Sequence, residues 1–108
     1  MGLNDFFRQS EEGLNSGEVL IIDGSGSETG AVEIHEVFAS GPIEMRKEVD
    51  TNGDGSFSLS VVIESQDSPF HSQKNQIEVS QSKGVRVKIV NTSNSNIDCA
   101  VNGIEVSD

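Results

Sequence analysis

Apolar and polar residues alternate with a period of two along most of this chain, which predicts an all-β protein. The clearest stretch sets Phe57, Leu59, Val61 and Ile63 against Ser58, Ser60, Val62 and Glu64. Upstream, Gly41-Pro42 turns the chain into Ile43, Met45, Lys47 and Val49, with Glu44, Arg46 and Glu48 on the other side, a strand with one wet face. Between Ala31 and Ser40 the alternation of Val32 and Ile34 breaks, because Glu36 falls on their parity and Val37 and Phe38 follow side by side. A β-bulge near His35 or Glu36 would restore the apolar face. Further strands are expected from Glu18 to Asp23, Gln76 to Ser80 and Val85 to Val90. Near the end, Asn102-Gly103 lies between Cys99 and Val101 on one side and Ile104 and Val106 on the other. That pattern predicts a two-residue hairpin with Val101 opposite Ile104 and Cys99 opposite Val106.

The amino-terminal segment departs from the period of two. Leu3, Phe6 and Phe7 recur at helical spacing, with Asn4 placed as an N-cap, Asp5 in the first turn and Gly13 as a stop. A helix or arm that short is marginal alone, so it has to dock on the domain's own end or on a neighbouring subunit. Leu3, Phe6 and Phe7 are therefore candidate interface residues. The expected organisation is a helix or arm over 1–16 and a β-sandwich domain over 17–108. Seven to eight short antiparallel strands fit an Ig-like or jelly-roll-like sandwich, with the polar segment Ser65 to Asn75 as a crossover between sheets.

Composition sharpens this. The 108 residues include no Trp or Tyr and only five Phe, so Val and Ile must build the core. Asp and Glu number 18 against 7 Lys and Arg, a net charge of -11 spread along the chain. Such a surface suits concentrated salt, where the screening length falls to about 3 Å at 1 M. The same charge repels phosphates and anionic lipid, so neither nucleic acid nor membrane is an expected partner. The start of the chain lacks a basic region and an apolar run, and no stretch approaches the roughly 18 apolar residues of a spanning helix. A soluble protein made in the cytoplasm is the expectation. Cys99, the only cysteine, can form no internal disulfide and reads as a small buried apolar residue.

Candidate chemistry is sparse. Asp50, Asn52, Asp54 and Gly55 match the first half of a calcium loop, making Asp50, Asn52 and Asp54 a candidate weak calcium site. The match fails at the twelfth position, where Val61 stands in place of a bidentate Glu, and the same residues are what a tight hairpin needs. Gly24-Ser25-Gly26 with Gly30 lacks the Lys and the following helix of a phosphate cradle and reads as a loop. Asp67, Ser68, His71 and Ser72 crowd one loop without a nucleophile elbow, and His35 beside Glu33 and Glu36 has no second His as a metal partner. Asn91-Thr92-Ser93 is an N-glycosylation acceptor by pattern and a polar loop by context. No catalytic residue and no cofactor is expected, and the chain reads as a non-enzyme.

The stretches Gly84-Val85-Arg86-Val87-Lys88-Ile89-Val90-Asn91-Thr92-Ser93 and Asn102-Gly103-Ile104-Glu105-Val106, set in this acidic composition, resemble small β-sandwich virion proteins of haloarchaeal tailed viruses. The resemblance implies a capsid decoration, turret or other accessory protein of the virion, assembled as a symmetric homo-oligomer on capsid or another virion protein in high salt. Two other readings fit the residues: a stand-alone binding or adhesion module, calcium-dependent through the Asp50 to Asp54 hairpin, and an acidic inhibitor or mimic that meets a basic partner.

Overall fold

The computed structural model describes residues 2–66, 70–72 and 76–108. Among these residues there are nine strands and no helix: β1 (Phe6–Leu14), β2 (Val19–Ile22), β3 (Ala31–Ala39), β4 (Ile43–Val49), β5 (Leu59–Gln66), β6 (Phe70–Ser72), β7 (Ile77–Ser80), β8 (Val85–Asn91) and β9 (Ile97–Glu105). They join in one open antiparallel sheet in the order β1-β9-β3-β7-β8-β4-β5, with β2 on β8 and β6 on β3. The sheet folds over on itself so that β1 meets β2, where Gln9 Nε2 donates to the Ile21 carbonyl at 2.7 Å. The side chains between the layers include Ile22, Ile34, Val37, Ile43, Met45, Val87, Ile89 and Val101, all essentially without solvent contact. This is the sandwich-like all-β fold that the alternation predicts, with its Val and Ile core.

Two local expectations are corrected. The segment read as a helix or arm is strand β1, paired along β9 from Phe6↔Ile104 to Leu14↔Ile97. A lone short helix would have buried few residues, whereas the ladder satisfies the backbone and puts Phe7 in the core. The Asn102-Gly103 turn is likewise absent, because β9 runs straight through it. Gly103 serves close approach instead: a Cβ there would stand 1.9 Å from the Glu33 carbonyl oxygen. That contact lies where β3 carries its bulge, between Ile34 and Glu36, at the expected place. The Ser65 to Asn75 crossover lies partly outside the described residues, as do Asp67 and Ser68 of the candidate His71 cluster.

Candidate assembly surface

An open sheet has two end strands, and each presents backbone groups able to pair with another chain. Here they are β1, partnered by β9, and β5, whose strand partner among the described residues is β4. Their sequences treat that exposure differently. β1 carries Arg8, Glu11 and Glu12, and it bulges between Glu11 and Leu14 around Gly13, which has φ +70°. Charge and a bulge both discourage edge pairing. The candidate interface residues divide accordingly: strand alternation exposes Phe6 to 68% and leaves Leu3 outside, but turns Phe7 into the core.

β5 carries no charge between Leu59 and Ile63, and its bulge lies at the end of that run. Leu59, Val61, Val62 and Ile63 are all exposed, Val61 to 52%. The register shows why. Leu59 pairs with Val49 and Val61 with Lys47, on the face that carries the buried Met45, Val87 and Ile89 across β4 and β8. Val62 pairs with Arg46 on the opposite face, and the ladder bulges at Ile63. Apolar side chains thus stand on both faces of an end strand, the pattern of a strand buried on both sides.

Beside β5 the charge also changes. Strands β4, β5 and β8 hold four basic side chains, Arg46, Lys47, Arg86 and Lys88, against three acidic ones, Glu44, Glu48 and Glu64. From totals of 7 and 18, the rest of the chain is left with three basic and 15 acidic residues. On this face Arg86 Nε donates to Glu48 Oε1 at 2.9 Å, Ser60 Oγ donates to Glu48 Oε2 at 3.0 Å, and Lys88 Nζ lies 3.6 Å from Oε2. Arg46 donates to Glu44 at 2.7 Å, and the Arg86 guanidinium sits 3.8 Å above the centre of the Phe57 ring. Burial alone would raise the Glu48 pKa. The hydrogen bonds from Arg86 and Ser60 and the charges of Lys88 and Arg86 outweigh it and hold the carboxyl below its ordinary value. The charge segregation escapes a linear reading because Arg46 and Lys47 meet Arg86 and Lys88 only through the β4–β8 ladder.

The remaining candidates are mostly structural. Asp50 accepts the amides of Asp54 and Gly55 at 3.1 and 2.7 Å, and these bonds, that of Gly55 foremost, lower its pKa. Its carboxylate thereby closes the Asp50 to Ser56 turn. Among the described residues no three His, Cys, Asp or Glu side chains are gathered to share a metal ion. In the Gly24 to Gly30 loop, the amides of Glu28 and Thr29 both donate to Glu105 Oε1, at 2.8 and 3.0 Å, where a phosphate would have needed them. His35 Nε2 lies 2.6 Å from Glu33 Oε1. Burial, helped by Glu11 and Asp98, pushes the Cys99 thiol up to about 11, which removes its thiolate at neutral pH. Asn91 is only 1% exposed; its Nδ2 donates to the carbonyls of Leu14 and Ser95, both at 2.9 Å, so it offers no amide to a glycan. A groove of about 400 Å³ on β1, β9 and β3 includes Arg8, Ser10, Phe38, Ser40, Asp98 and Ala100 among its lining residues, a mixture that selects no ligand class.

No family model matches the chain. Solved structures that align with nearly all of it include the Yersinia pseudotuberculosis-derived mitogen, at 13% identity over 98% of this chain and 90% of that one with a TM-score of 0.46, and the Drosophila NLP core, at 12% identity over 96% and 99% with a TM-score of 0.48. Neither superposition is close enough to transfer a site. Sequence comparison goes further, since Gp30 of Haloferax tailed virus 1 is 34% identical over 105 residues, covering 94% of this chain and 90% of Gp30. With a third of its residues shared along nearly the whole of both chains, this protein belongs to the family of Gp30, a family of viral proteins.

Proposed function

We propose that this protein is a structural component of a tailed virion, a capsid decoration or turret-type accessory protein that acts by holding other protein and not by catalysis. One observation carries the reading: a strongly acidic molecule keeps one end of its sheet apolar and close to charge balance. An isolated monomer has no use for such an edge, and selection against edge-to-edge association would have charged it as β1 is charged. Kinship with a viral protein supports this reading, since virion proteins assemble at high local concentration. Capsid protein or another virion protein is the partner, in a homo-oligomeric assembly. The acidic remainder faces salty solvent, with no role for nucleic acid, membrane or cofactor.

The test is the virion itself. Particles purified on a density gradient and washed in molar salt are expected to retain the protein at a fixed ratio to the major capsid protein, with antibody labelling on the particle exterior. Absence from washed particles, despite abundance in the infected-cell lysate, would overturn the proposal.

A further inference from the structure

We infer that the partner at β5 is a second copy of this chain, its own β5 paired antiparallel across a two-fold axis so that the β8-β4-β5 sheet continues into its symmetry mate. The inference rests on the reading of the protein as an assembling virion component, and it names the contact from which assembly starts.

Three observations select this occupant. First, the segment is self-complementary. With the axis at Val62 and the bulged Ile63 passed over, Val62 faces its copy, Val61 faces Glu64 and Ser60 faces Ser65, and no like charges meet. The central Val62 pair is aliphatic and adds roughly 0.2–1 kcal/mol beyond the ladder itself. Second, charge permits it only here. Two copies repel over most of their surfaces, where 15 acidic residues face three basic ones, but β4, β5 and β8 bring four basic residues against three acidic. A basic partner would be drawn to the acidic remainder instead, and would be repelled by Arg46, Lys47, Arg86 and Lys88. Third, the closure is two-fold. A head-to-tail contact of β5 with β1 would propagate as a fibre, and the bulge and charges of β1 oppose that contact. β5 pairing with its own copy across a two-fold axis gives a closed pair.

Mass measured by light scattering after size exclusion, with the full chain in molar potassium chloride, is expected to be twice that of the monomer. Val62→Lys and Val61→Glu should each return it to the monomer while the circular dichroism spectrum stays that of the folded sheet, because both side chains are exposed. An independent arm uses Cys99, which is buried and is the only native thiol. Mild oxidation of a Val62→Cys variant should give a disulfide-linked dimer, whereas Phe6→Cys on β1 should not. A monomer at every concentration, a dimer that survives both substitutions, or equal cross-linking from Phe6→Cys would each overturn the inference. The virion measurement separates the two readings: a monomer found in washed particles sinks the self-pairing alone, and a dimer absent from particles sinks the virion role alone.

Discussion

Replacing Asn91 by Ala tests whether one buried amide ties three parts of the sheet together. Its Nδ2 donates to the Leu14 carbonyl at the end of β1 and to the Ser95 carbonyl in the loop before β9; its Oδ1 accepts the amide and the hydroxyl of Ser93, each at 2.8 Å. Its backbone pairs with Gly17 and Glu18, so the residue stands between β1, β8 and the 92–96 loop. Truncation removes four hydrogen bonds, of which the two from Nδ2 are the better shielded. At about 1 kcal/mol for each of those two, plus about 1–2 for leaving the Leu14 carbonyl short of a partner, the loss is about 3–4 kcal/mol. For a chain of 108 residues, at about 2.1 cal/mol/K of unfolding entropy per residue, that lowers the melting temperature by about 15 °C. The loss is a large share of the roughly 5–15 kcal/mol a domain possesses. Scanning calorimetry in molar salt measures it. Asn91→Asp refines the test: it keeps the acceptor for Ser93 but sets a carboxylate against two carbonyl oxygens, so its folded pKa lies above its unfolded one. Its destabilisation should therefore exceed that of Asn91→Ala at neutral pH and shrink as acid protonates it. A drop under about 5 °C for Asn91→Ala, or a glycan found on Asn91 in protein from particles, would refute the reasoning.

Glu48→Gln should cost about 2 kcal/mol at neutral pH by removing the charged partner of Arg86 and Lys88. Because the folded pKa of Glu48 lies below its ordinary 4.5, that difference from wild type should hold above pH 4.5 and vanish as pH falls through the folded value; a pH-independent difference in paired melting curves would contradict the ion-pair account. Gly103→Ala should destabilise by about 3 kcal/mol or block folding, since the clash is with backbone, and an unchanged melting temperature would show that β3 and β9 do not approach as described. Cys99 should stay unreactive toward Ellman's reagent at pH 8 in the native protein and react fully in denaturant; immediate stoichiometric labelling would show it exposed. Calcium should leave the melting temperature unchanged, because both Asp50 oxygens already hold turn amides; a rise that grows with calcium concentration would establish the Asp50, Asn52 and Asp54 site.

The elements legible in the sequence are those whose pattern has a local cause. The parity break at Glu36 required an extra residue, and the bulge is there; Ile43 to Val49 and Val85 to Val90 alternate because each has one face on the core. The failures share a different cause, a partner far along the chain. Leu3, Phe6 and Phe7 fit a helical stripe and a strand equally well, and only pairing with residues near Asn102, more than ninety positions away, decides for the strand. Asn102-Gly103 carries the strongest short hairpin signal, yet the glycine answers to the Glu33 carbonyl and Asn102 Oδ1 accepts a hydrogen bond from Arg8 at 2.8 Å. The placement of Phe7 has the same cause. Two adjacent Phe look like an exposed arm until the sheet buries one of them, whereas Val61 and Val62 look like core until the sheet ends at their strand.

The separation of charge that the fold creates also bears on how assembly would depend on solvent. At 0.1 M salt the screening length of about 10 Å lets the acidic regions of two approaching copies repel across the gap before β5 can meet β5. Near 1 M it shrinks to about 3 Å, shorter than the reach of a side chain, and the repulsion is confined to charges almost in contact. At the seam there are few of those, and Arg46 and Glu44, or Arg86 and Glu48, are already paired within one molecule. Salt therefore weakens what opposes the pair and leaves the apolar and backbone contacts that favour it. The dimer should form more strongly as salt rises, opposite to the behaviour of an acidic mimic bound to a basic target, whose attraction salt would screen. Dissociation constants measured from dilute buffer to molar salt decide between the two by the sign of the slope alone.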